Sequence, residues 1–169
     1  MQVFTNGLIY KVGLFGAKLY DHTDDNLTTL KLPEKFRGRT VNRIGDYSLS
    51  LCSSLAEVDL PKSVVEIEEC AFLKCTALKT IKLPDGIKTI GYYAFSSCSG
   101  LESISLPKNI RRIRSYAFFL CGKLENIIFR GTKDDWRKVH KEIDWDSSLV
   151  NHIVHCTDGN LDKFCNDTF

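Results

Sequence analysis

The dipeptide Leu-Pro recurs at Leu60-Pro61, Leu83-Pro84 and Leu106-Pro107, in steps of 23 residues, and an earlier copy stands at Leu32-Pro33. One step further, Phe129 takes the leucine slot. Other columns keep the same step: Val41, Val64, Ile87, Ile110; Ile44, Ile67, Ile90, Ile113; Leu49, Phe72, Phe95, Phe118; Cys52, Cys75, Cys98, Cys121; Leu55, Leu78, Leu101, Leu124; and Val58, Ile81, Ile104, Ile127. A partial earlier copy, Leu27 to Leu32, sits 28 residues before its successor, with the five extra residues near Glu34 to Arg39. Such phasing dictates stacked copies of one unit. A single unit cannot bury its own apolar side chains, so neighbours must cover them. Leu-x-x-Ile-x-Leu turns alternate residues inward, as a short strand requires. Proline then ends the strand because it has no N–H for the ladder. The segment Ala-Phe-x-x-Cys reads as one helical turn on the opposite side, with phenylalanine filling the wide part of the core.

A period of 23 falls in the leucine-rich-repeat range. The expected fold is therefore a right-handed leucine-rich-repeat solenoid. It has short parallel strands on one face, loops and single helical turns on the other, and caps at both ends. The unit Leu-x-x-Ile-x-Leu-Pro-x-x-Ile-x-x-Ile-Gly-x-x-Ala-Phe-x-x-Cys, best seen from Leu78 to Cys98, resembles the BspA-type leucine-rich repeat of bacterial surface and secreted proteins. The resemblance covers residues 27–129 and extends more loosely to the ends. It implies a binding or structural module, no shared catalytic residues and no cofactor. Departures are Ser48-Leu49 in place of Ala-Phe, and Glu68 and Ser115 where Gly45 and Gly91 hold the glycine slot.

Three regions follow: an N-terminal β cap at 1–26, repeats at 27–129, and a C-terminal cap of helix plus β-hairpin at 130–169. Thr132, with Asp135 three residues on, predicts a helix start. Trp136, Val139, His140 and Ile143 then follow at helical spacing as one buried face, and Trp145 reads as a further plug. Asp158-Gly159 predicts a tight hairpin turn, which sets Cys156 opposite Leu161 and His152 opposite Cys165.

Seven cysteines cannot all pair within one chain. Four occupy the repeat's core register, where cysteine acts as a small hydrophobe; metal ligation or bridging between stacked turns is the competing reading. No Cys-x2-Cys pair of the kind zinc prefers is present. His152, Cys156 and Cys165 form a conceivable three-ligand site set against simple cap packing. No nucleophile triad, catalytic carboxylate pair or phosphate-binding loop can be assembled, so no enzymatic activity is expected. Net charge is +2, and no apolar run is long enough to span a bilayer. The first residues lack a signal-peptide pattern. Together with the cysteines this points to the cytoplasm, whereas the resemblance implies the cell surface or secretion.

Solenoids usually bind through the strand face. Its outward columns are Thr29, Glu57, Thr80, Ser103, Asn126 and Lys31, Asp59, Lys82, Ser105, Ile128. Five strands at about 4.8 Å spacing span only about 19 Å, a face of roughly 200 to 320 Å² against the roughly 800 Å² a standard interface takes from each partner. A partner must therefore also touch an edge or cap, or the chain must self-associate. The leading expectation is a non-enzymatic protein-interaction module; a structural or adhesive surface unit is the alternative. A third reading is an anion or nucleic-acid binder using the basic edge Lys108, Arg111, Arg112 and Arg114, set against a solvated loop edge. That edge lacks the interleaved aromatics that stack on bases.

Overall fold

The computed structural model describes residues 2–5, 7–23 and 26–162, with side chains from residue 7 onward. The chain opens with antiparallel strands β1 (Gln2–Thr5), β2 (Leu8–Gly13) and β3 (Gly16–His22). Strand β4 (Thr29–Lys31) starts the repeat ladder. The five extra residues supply β5 (Lys35–Phe36) and the turn that pairs it antiparallel with β6 (Arg39–Ile44), and β6 joins β3 in parallel. Phe36 stacks on the fully buried Tyr10 ring at 4.2 Å. The insertion thus covers the first open rung of the core.

Each later repeat contributes two strands: β7 (Glu57–Asp59) and β8 (Glu66–Ile67), β9 (Thr80–Lys82) and β10 (Thr89–Ile90), β11 (Ser103–Leu106) and β12 (Arg112–Ile113), then β13 (Asn126–Phe129). On one side β4 pairs β7, and β9, β11 and β13 pair in parallel. On a second side β6, β8, β10 and β12 form another parallel ladder. The solenoid expectation holds, but strands line two sides rather than one. The third side carries turns, not the single helical turns expected of Ala-Phe-x-x-Cys. Two left-handed residues per repeat shape it: Tyr47, Cys70, Tyr93, Tyr116 and Leu51, Lys74, Ser97, Leu120, with φ between 52° and 68°. Phe72 N–H donates to Ala94 O at 2.8 Å and Phe95 N–H to Ala117 O at 2.9 Å. The next turn supplies the hydrogen bond that a helix would have supplied internally.

The core runs the length of the solenoid. Phe72, Phe95 and Phe118 are fully buried and stack at 5.1 and 5.8 Å. Beside them, the Cys75, Cys98 and Cys121 thiols donate to Leu49 O, Phe72 O and Phe95 O at 3.2, 3.0 and 2.9 Å. Each thiol therefore satisfies a carbonyl of the preceding turn, a task alanine cannot perform. The hydrogen bond with Cys98, together with burial, pushes the Cys121 thiol far above its ordinary pKa. None of the six described cysteines forms a disulfide; five are buried and Cys156 is half-buried. Thiolate is the reactive form. Burial and the Asp158 charge hold the Cys156 thiol above its ordinary pKa, but it is the one thiol among the described residues that reaches the surface, so a thiol reagent should label Cys156 first and leave Cys52, Cys70, Cys75, Cys98 and Cys121 unlabelled until denaturant is added. Mass mapping of the labelled peptides before and after unfolding checks this.

After β13, Thr132 caps helix α1 (Lys133–Arg137) with a reciprocal capping box to Asp135, as the spacing predicts. The helix is far shorter than the expected buried face. Trp136 and Val139 are buried, but His140 is exposed and Ile143 is 81% exposed. The chain leaves the helix after Arg137 because β14 (His140–Lys141) extends the second ladder beside β12. Trp145 closes the core, packing edge-on against Phe118, Trp136 and His152 at 6.1, 5.9 and 5.7 Å. The terminal hairpin is β15 (Ile153–Cys156) and β16 (Gly159–Asp162). Its register places Cys156 opposite Gly159 and Val154 opposite Leu161. The expected pairing of Cys156 with Leu161 is thus off by two, because the turn is centred on Thr157-Asp158 and Gly159 enters the strand. Cys165 lies outside the described residues.

Candidate functional site

The first ladder consists of a separate β4–β7 pair and a five-stranded sheet that runs β9, β11, β13, β15, β16. β15 continues it in parallel beside β13, and β16 follows antiparallel. One outward column is Thr29, Glu57, Thr80, Ser103, Asn126, Ile153; the other is Lys31, Asp59, Lys82, Ser105, Ile128, His155. The five hydrogen-bonded strands span about 19 Å at 4.8 Å spacing. Thr29, Lys31, Glu57, Asp59, Thr80, Lys82 and Ile128 are exposed, and Ser103, Ser105 and Asn126 are half-buried. Only two outward residues between β4 and β15 are apolar: Ile128 is 44% and Ile153 40% exposed. They sit on adjacent strands at the C-terminal end, diagonal to each other. His155 stands opposite Ile128, its ring nitrogens 2.8 Å from Asn126 Oδ1 and 3.2 Å from Asn160 Oδ1. Those contacts hold a polar rim beside the two isoleucines. At the other end, Lys31 and Asp59 are 3.8 Å apart and well exposed, a pair worth little in water.

The four residues of the basic edge do not form one surface. Lys108 and Arg111 line a concave pocket between the two ladders. Arg112 lies on β12, beside Thr89 and His140 of the second ladder. Arg114 is occupied elsewhere: it lies over the Tyr92 ring at 4.9 Å and reaches Glu142 Oε1 at 3.1 Å. Glu142 sits below the ordinary carboxylate range; burial opposes this, but the Ser115 N–H and the Arg114 charge outweigh it. Neighbours in sequence separate here because the chain turns a corner, which sequence spacing alone does not reveal.

His152 is buried against Trp145, with Nε2 3.6 Å from Asp146. That is cap packing. Among the described residues no group of three or more His, Cys, Asp or Glu could hold a metal, and none of their helices is long and apolar enough to cross a membrane.

Two further surface features lie outside the columns expected from the sequence. Tyr47, Tyr93 and Tyr116 share the left-handed column with Cys70, and Tyr93 and Tyr116 stack at 5.0 Å; the 23-residue step would have found them. Leu14 and Phe15 tip the β2–β3 hairpin at 80% and 94% exposure, and the flanking Gly13 and Gly16 mark that turn in the sequence.

The model of the BspA type leucine rich repeat region matches residues 15–138 in six copies. A leucine rich repeat protein from T. pallidum superposes with a TM-score of 0.62 at 20% identity, covering 85% of this chain and 82% of that one. A leucine rich cell surface protein from Faecalibacterium prausnitzii superposes with a TM-score of 0.64 at 22% identity, covering 82% of this chain and 42% of that one. At these identities the likeness is one of fold. No curated protein matches the chain. With six repeat copies spread over most of its length, the chain belongs to the BspA-type leucine-rich-repeat family.

Proposed function

We propose that the chain is a non-enzymatic protein-interaction module whose contact surface is the first ladder, extended by the C-terminal hairpin. The observation that carries this reading is the apolar spot of Ile128 and Ile153, rimmed by Asn126, His155 and Asn160. A small apolar centre within a polar rim is how binding energy concentrates at interfaces. The other outward positions, from Thr29 to Ser105, are polar or charged and set orientation more than affinity. The face alone stays below the size of a standard interface, so a partner also contacts the adjoining edge.

A photo-reactive amino acid placed at Ser105, and separately at Thr89 on the second ladder, tests the reading in cells. The expected result is one discrete crosslinked protein from the Ser105 position and none from Thr89. Equal crosslinking from both, or from Thr89 alone, would place the contact elsewhere.

A further inference from the structure

The pocket between the two ladders carries more positive charge than its own carboxylates can neutralise. It has a volume of about 400 Å³ and is lined by Lys88, Lys108, Arg111 and Lys138, with Asp85 and Asp135. Both carboxylates are already engaged. Arg130 holds Asp85 at 3.0 Å, and Lys108 holds Asp135 at 3.3 Å. Hydrogen bonds from the Thr132 backbone and hydroxyl, with Lys108, keep Asp135 below the ordinary carboxylate range. Asp135 therefore stays ionised and consumes the Lys108 charge.

Lys88, Arg111 and Lys138 remain. Among the described residues none of the three has a carboxylate within 4 Å. Lys88 and Arg111 also occupy the same position of successive turns: the Arg111 N–H donates to Lys88 O at 2.9 Å. Their backbones lie on neighbouring rungs, about 4.8 Å apart, so the two positive side chains leave the same point of adjacent turns and repel each other. Such an arrangement is relieved by an anion seated between them. The cavity is of ligand size, whereas a duplex needs a broad positive track rather than a hollow.

We propose that this pocket binds a compact, multiply charged oxyanion, a phosphate or sulfate ester, through Lys88, Arg111 and Lys138. Guanidinium and ammonium groups suit such oxyanions through charge-assisted hydrogen bonds. Asp85 tempers the site by holding Arg130 beside it.

Calorimetric titration with inorganic tripolyphosphate and with a sulfated heparin disaccharide tests this. Saturable binding of at least one probe is expected, and the stronger probe identifies the ester class. Arg111→Glu and Lys88→Glu should each weaken it about tenfold or more, while Asp85→Asn should strengthen it roughly two- to threefold. All three side chains are exposed or half-exposed at the rim, and circular dichroism would verify that each variant is folded. Lys79→Glu, outside the pocket, should leave binding unchanged. No saturable binding of either probe at millimolar concentration, or affinity unaltered by Arg111→Glu and Lys88→Glu, overturns the proposal.

Discussion

Phe95→Ala is expected to destabilise the chain by about 3–5 kcal/mol, a large share of the roughly 5–15 kcal/mol that holds a domain of this kind together. Phe95 is fully buried and sits midway in the ring stack, with Phe72 on one side and Phe118 on the other. Its removal leaves a void that two turns share. Those turns are also tied through backbone bonds such as Phe95 N–H to Ala117 O, so they cannot collapse inward without breaking the ladder. Urea unfolding followed by far-ultraviolet circular dichroism measures the loss. The Cys98→Ser variant gives a graded comparison. It keeps a donor for Phe72 O and should cost markedly less.

Trp145→Ala should cost a similar amount, about 3–5 kcal/mol, but through a different part of the molecule. Trp145 is the plug that touches Phe118, Trp136 and His152 at once. Without it the last rung faces water, and a solenoid depends on such caps for solubility. Hydrogen exchange should show protection falling first in β13, β15 and β16, with β8 and β10 keeping theirs until global unfolding. Phe95→Ala should instead lower protection throughout. Identical exchange patterns for the two variants would show that the cap and the central turns unfold as one unit. The exposed end should also raise the tendency of the Trp145→Ala variant to self-associate.

Much of this architecture is legible in the sequence because each core column repeats. Leu55, Leu78, Leu101 and Leu124 are all buried, as are Ile44, Ile67, Ile90 and Ile113. The second ladder is not legible for a simple reason. Its strands, such as Glu66–Ile67 and Thr89–Ile90, are two residues long, too short to display an alternating pattern. Likewise the turn side looks helical in sequence, since Ala94, Phe95 and Cys98 fall at spacings one helix face would share. Backbone bonds to the neighbouring turn override that preference. The choice of cysteine in the column becomes intelligible only when Cys98 Sγ is seen to donate to Phe72 O.

The candidate surface shows the same division. The outward columns from Thr29 to Ile128 follow directly from strand alternation. Ile153 and His155 join them only because β15 docks beside β13, a long-range pairing with no repeat signature. The basic residues 108 to 114 look continuous in sequence and separate in space, while Lys88 and Lys138, far apart in sequence, meet Arg111 at one pocket.

The most direct test of the interaction module is affinity capture with quantitative mass spectrometry, comparing wild type with the double variant Ile128→Asp, Ile153→Asp. Both side chains are substantially exposed, so the double variant should fold, with an unchanged circular dichroism spectrum. The expected result is a protein that is enriched at least tenfold by wild type and lost by the double variant, and that is retained by the second-ladder control Thr89→Asp. A partner captured equally by wild type and the double variant, but lost by the control, would contradict it and move the binding surface to the other side of the solenoid.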